Sequence, residues 1–102
     1  IEADGPGPGG ASHHYVVYSE DGTVVATIRY QSGPRNETGS TPGVIDSVLL
    51  AIVADRMEKF NEGPYRCREN SLVLTKVEEA LHWCKHRADE RARRGVLGKN
   101  LK

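Results

Sequence analysis

The chain has 102 residues, in which 14 lysines and arginines balance 14 aspartates and glutamates and 37% of positions are hydrophobic. That length fits one domain with a thin core, and the zero net charge argues against a broad electrostatic grip on long nucleic acid, so an anion site has to come from local clustering. No apolar run approaches the roughly 20 residues of a membrane span, and no charged start followed by an apolar stretch reads as a signal peptide.

Residues 1–12 (IEADGPGPGGAS) are dominated by glycine and proline and read as a mobile tail or an appended segment. The single domain then spans 13–102. Residues 13–31 read as an antiparallel β-hairpin. Tyr15, Val16, Val17 and Tyr18 are strong strand formers, Glu20-Asp21-Gly22 is a turn signal, and the return strand places Ile28 and Tyr30 on the face opposite Thr27, Arg29 and Gln31. Residues 32–43 (SGPRNETGSTPG) read as a loop, with Arg35 near its start.

Two helices follow. The first is predicted over 44–60, capped by Asp46 or by Thr41 with Pro42 behind it, with Ile45, Val48, Leu49, Ile52 and Val53 as its apolar face. Asn61-Glu62-Gly63-Pro64 ends it. The second is predicted over 66–94. Leu74, Val77, Leu81, Cys84 and Ala88 recur at spacings of 3 and 4, a coiled-coil-like seam that reaches Asn70 at one end and Arg91 at the other. Gly95 stops this helix, leaving 95–102 as a tail. The fold class is α+β: a hairpin followed by two long antiparallel helices. The apolar demand exceeds what these elements satisfy alone, so the helices are expected to pair with a second copy. Cys67 and Cys84 are too far apart along one helix to bridge, and reduced thiols suit the cytoplasm.

Several groups of residues offer chemistry. Arg87, Arg91 and Arg94 share one helix face; they are either phosphate-binding guanidinium forks or a solvated face neutralised by Asp89 and Glu90. Phe60 either stacks on a base or closes the core where the helices meet. Asn70 offers an amide for a nucleotide edge, or a cap or register role at the seam. His82 and His86 have zinc-compatible spacing but no accompanying ligand pattern. Gly95 and Gly98 would let backbone amides approach a phosphate, although that spacing is weak on its own. No Walker, GxSxG, HExxH or paired CxxC motif occurs, and no carboxylates pair for catalysis. The sequence therefore reads as a binding protein without catalytic residues, metal or cofactor.

Residues 51–98 carry a more specific pattern: the tetrad Cys67-Arg68-Glu69-Asn70, then LTK-EEAL-W from Leu74 to Trp83, then R-x-x-x-R-x-x-RGV-x-G from Arg87 to Gly98. With Gln31-Ser32-Gly33-Pro34-Arg35 upstream, this resembles the anti-Thoeris sponge family of phages and prophages over about residues 13–98. The related anti-CBASS sponge family shares the helical half.

The resemblance implies a phage protein acting in the cytoplasm of the infected bacterium, where it binds cyclic ADP-ribose isomers made by Thoeris TIR enzymes and holds them uncleaved. It implies a ligand pocket at a homodimer interface, with Phe60 stacking on the base, Asn70 in polar contact, and Arg35, Arg87 and Arg91 on the phosphates. Some members are hexamers that bind cyclic di- or trinucleotides at a second site, which here would fall on Arg94, Gly95, Val96, Gly98 and Lys99. The family tail commonly reads GVEGTH. Here Leu97, Lys99 and Asn100 stand at its Glu, Thr and His positions, so this tail departs from the pattern where the second site and the hexamer depend on it.

Overall fold

The computed structural model describes residues 1–32, 39 and 42–95. It is α+β, with a three-stranded antiparallel sheet preceding two long helices in the chain. The chain divides into a sheet unit running to Ile45 and a helical unit beginning at Asp46.

In the sheet unit, β1 (Glu2–Ala3), β2 (His14–Tyr18) and β3 (Val24–Arg29) lie in the order β1-β2-β3. The predicted hairpin is β2–β3, in which Tyr15 lies opposite Ile28 and His14 opposite Arg29. Tyr15 and Tyr30 meet edge to face with centroids 5.7 Å apart, a preferred aromatic geometry. Gly22 turns the hairpin at φ 88°, a conformation only glycine adopts at no steric cost. The Asp21 carboxylate accepts from the Ser19 hydroxyl and from Thr23 N at 3.0 Å.

The expectation of a mobile tail over 1–12 is corrected. Glu2 and Ala3 pair with Val16 and Tyr15 as an edge strand. Asp4 fixes the return: its Oδ1 accepts from His13 N at 2.9 Å and His14 N at 3.2 Å, and its carbonyl accepts from the Ser12 hydroxyl at 2.7 Å. Gly9 and Gly10, both at positive φ, reverse the chain between them.

Val44 forms a parallel bridge to Tyr30, donating to Arg29 O and accepting from Gln31 N, both at 2.9 Å. This close approach requires Gly43, because a Cβ there would lie 2.6 Å from the Arg29 carbonyl oxygen.

In the helical unit, α1 (Asp46–Glu62) and α2 (Arg68–Arg93) pack along each other across the short link 63–67. α1 starts and ends two residues later than the predicted 44–60. Asp46 lies in its first turn, where its charge suits the helix dipole, and the break falls at Gly63, whose N–H donates to Phe60 O at 3.2 Å. α2 is shorter than the predicted 66–94 because Cys67 is its N-cap, with Sγ accepting from Asn70 N at 3.4 Å. Gly95, at φ 75°, closes the other end through a 3.0 Å bond to Ala92 O.

The α2 seam of Leu74, Val77, Leu81, Cys84 and Ala88 is half-buried as predicted. The predicted α1 face is corrected. Leu49 and Val53 turn inward with Leu50, Ala54 and Met57, whereas Ile45, Val48 and Ile52 are exposed. α1 is apolar nearly all round from Val48 to Ala54, so periodicity leaves its phase open. The phase adopted buries the small Ala54 and admits a close neighbour. Among the described residues no helix is long and apolar enough to cross a membrane.

Candidate ligand-binding site

Phe60 and Asn70 flank the link between the helices: Phe60 lies in the last turn of α1 and Asn70 in the first turn of α2. The Arg56 guanidinium lies 5.5 Å from the Phe60 ring centroid, a cation–π contact that covers one face of a half-buried ring. A stacking role uses the other face. The neighbouring Lys59 is committed to Asp55 at 2.9 Å, and that hydrogen bond raises the lysine above its ordinary range.

Asn70 takes part in the helix start, one of the two roles the sequence allows it. Its backbone N–H completes the Cys67 cap, and its side-chain Nδ2 donates to Tyr65 O at 3.2 Å. The first bond opens the helix. The second orients the amide and leaves Oδ1 as an acceptor without a partner among the described residues, suited to an exocyclic amine or a ribose hydroxyl.

The arginines occupy the other end of α2. Arg87 follows Asn70 by seventeen positions and Arg91 by twenty-one, separations of about 25 and 31 Å along a helix. The structure therefore brings Phe60 and Asn70 together and holds Arg87 and Arg91 apart from them within one protomer. No small cyclic nucleotide spans that gap.

The alternative of an arginine face neutralised by Asp89 and Glu90 is met at Arg94 by Glu90 and is not met by Asp89. Asp89 accepts from Lys85 at 2.7 Å, a bond that holds its carboxyl below the ordinary carboxylate range, and Glu90 pairs with Arg94 at 3.4 Å. Arg87 is exposed and engages neither acid. Arg91, 9% exposed, carries the seam on as a buried cation. Burial limits the positions its guanidinium can take.

Arg35, Val96, Gly98 and Lys99 lie outside the described residues. Of the second expected site, Arg94 is tied to Glu90, and Gly95 serves as the helix stop. His82 and His86 are exposed on either side of the Trp83 ring, at 5.7 and 5.5 Å, and among the described residues no three metal-ligating side chains converge.

Sequence reasoning missed Arg56, Lys85 and the Tyr65 carbonyl. The i, i+4 spacings of Arg56 to Phe60 and of Lys85 to Asp89 were available as signals. The Tyr65 carbonyl, a backbone acceptor in an irregular link, left none.

The chain is 41% identical over 96 residues to a protein of Bacillus phage SBSphiJ7 named Thoeris anti-defense 1, a match that covers 94% of this chain and 66% of the phage protein. This chain thus spans just under two thirds of that relative's length. Residues 22–88, from the hairpin turn into the last quarter of α2, match the family described as Acb2/Tad1, hairpin domain, and the chain belongs to that family.

Proposed function

We propose that this protein counters Thoeris defence in the cytoplasm of the infected host by binding cyclic ADP-ribose isomers and holding them intact, out of reach of their effectors. The observation that carries the reading is the division of the site. An aromatic plate and an amide oxygen without a partner among the described residues stand at one end of the helix pair, and the exposed Arg87 guanidinium stands at the other, about 25 Å away. Two copies related by a two-fold axis, with their helices antiparallel, bring Phe60 and Asn70 of one protomer to Arg87 and Arg91 of its partner. That arrangement makes two equivalent pockets.

Each pocket matches its ligand group by group. The Phe60 ring takes the purine face, Asn70 Oδ1 accepts from the base or ribose, and the guanidinium forks meet the paired phosphates. None of these side chains transfers protons at neutral pH, since an arginine does not deprotonate in proteins and an amide is neutral. The pocket binds and does not cleave. Capture at a nanomolar constant requires about 12 kcal/mol, a value within reach when a rigid interface meets two phosphates at once.

Native mass spectrometry of the protein with a panel of cyclic ADP-ribose isomers tests this. The expected species has two protein copies and two ligands, and denaturation releases the ligand at its original mass. Phe60→Ala and Asn70→Ala each lose capture while the helical circular dichroism is retained. Recovery of degraded nucleotide, or undiminished capture by both variants, overturns the proposal.

A further inference from the structure

The sheet unit carries a second constellation. A cavity of about 340 Å³ is lined by Asp4, His13, His14, Arg29, Tyr30 and Ser32. His14 and Arg29 are direct partners across the β2–β3 ladder, so their side chains leave the sheet on one face. Arg29 makes no ion pair or side-chain hydrogen bond with the described residues. The only acid in the lining, Asp4, spends its Oδ1 on two backbone N–H groups, those of His13 and His14.

His13 adds a directional constraint. Its Nδ1 is buried without a hydrogen-bond partner, close against Gly7, where a Cβ would stand 2.9 Å from it. A proton on that nitrogen would be buried with no acceptor, so the neutral ring carries its proton on Nε2 and presents a donor there. The lining is thus rich in donors: a guanidinium with five N–H groups, two imidazoles and the Tyr30 and Ser32 hydroxyls. Against these stands one partly satisfied carboxylate. The complement of such a lining is a compact anion with many acceptors. The volume falls at the small end of ligand pockets, about 300–1,000 Å³, enough for a phosphate group with part of what it is attached to. A metal cage is the competing use of His13, His14 and Asp4, but no three such ligands converge among the described residues.

We infer that this cavity binds a phosphoryl group, with Arg29 as the fork that grips it and His14 as its flanking donor. The chemistry is shared by free phosphate and by a phosphate monoester such as a mononucleotide, and titration separates the two.

The full chain labelled with nitrogen-15 is titrated with inorganic phosphate and with adenosine 5′-monophosphate, in the wild type and in Phe60→Ala. The second background silences the proposed ADP-ribose pocket, so the two readings fail separately. Saturable amide shifts are expected at His13, His14 and Arg29 in both backgrounds. Arg29→Ala and His14→Ala each weaken binding at least tenfold with the other β2 and β3 resonances in place, and Arg29→Gln replaces the alanine variant if the strand is disturbed. At least tenfold tighter binding of the nucleotide assigns the site to a phosphate ester, and comparable binding assigns it to free phosphate. Shifts that fail to saturate with either probe, shifts that vanish in Phe60→Ala, or affinity unchanged in the Arg29 and His14 variants overturn the inference.

Discussion

Arg87 is the guanidinium its neighbours leave unclaimed. The acid that follows it by two positions is taken by Lys85, and the one that follows by three is taken by Arg94. In the proposed pocket this exposed guanidinium meets a ligand's phosphates, and the fork geometry of arginine matters as much as its charge. Arg87→Lys keeps the charge and loses the paired hydrogen bonds. Charge-assisted hydrogen bonds contribute about 1.5–3 kcal/mol each, so the lysine variant is expected to bind cyclic ADP-ribose about tenfold more weakly and Arg87→Ala about a hundredfold, by isothermal calorimetry. Equal affinity in all three proteins would remove Arg87 from the pocket. The sequence made Arg87, Phe60 and Asn70 candidates, but it could not choose between their roles. That choice rests on which neighbours take which partners, and on a carbonyl at Tyr65 that no residue pattern announces.

At the scale of elements, legibility followed the strength of each periodic signal. The α2 seam and the β2–β3 hairpin repeat over enough residues to fix both type and phase. β1 has only two residues, and it is held by side-chain bonds from Asp4 and Ser12 that leave no alternating pattern to read. The phase of α1 was lost for the opposite reason, since apolar residues on every side satisfy several faces equally. Two elements can be tested through their joints. Gly43 lets the chain lie against Arg29 and Tyr30, and a methyl there meets backbone atoms that cannot move aside. Gly43→Ala is expected to cost about 1–3 kcal/mol of stability and to lower Tm measurably in thermal melts. An unchanged Tm would mean that the bridge at Val44 does not form. The hairpin turn depends on Asp21, whose carboxyl is lowered to about 2 by the Ser19 hydroxyl first and then by Thr23. A folded-state value below the ordinary one means that the charged form favours the turn. Its contribution is complete above the ordinary aspartate range, near 3.8, and disappears as pH falls toward 2. Hairpin amide exchange should therefore quicken between those values in the wild type, and Asp21→Asn should lack that component.

For the whole molecule, the decisive fact is how little one copy buries. Ala54 is the most enclosed apolar side chain among the described residues, and it is still 9% exposed, while Ile52 and Trp83 are exposed by 53% and 59%. Val48 and Ile52 recur along the outward side of α1, where a monomer would leave them in water. A second copy that covers this stripe would supply the missing burial and, with antiparallel helices, join the two halves of the divided site. Dimerisation and ligand capture are then one event, and they should fail together. Ile52→Glu places a charge in the stripe without touching Phe60, Asn70, Arg87 or Arg91. A buried unpaired carboxylate is strongly unfavourable, so sedimentation should show a monomer at concentrations where the wild type is dimeric. Capture of cyclic ADP-ribose should be lost in parallel, because one protomer cannot reach across about 25 Å. A monomeric variant that still captures the ligand would show that a single chain completes the pocket. A dimeric variant with normal capture would place the interface on another face of the helix pair.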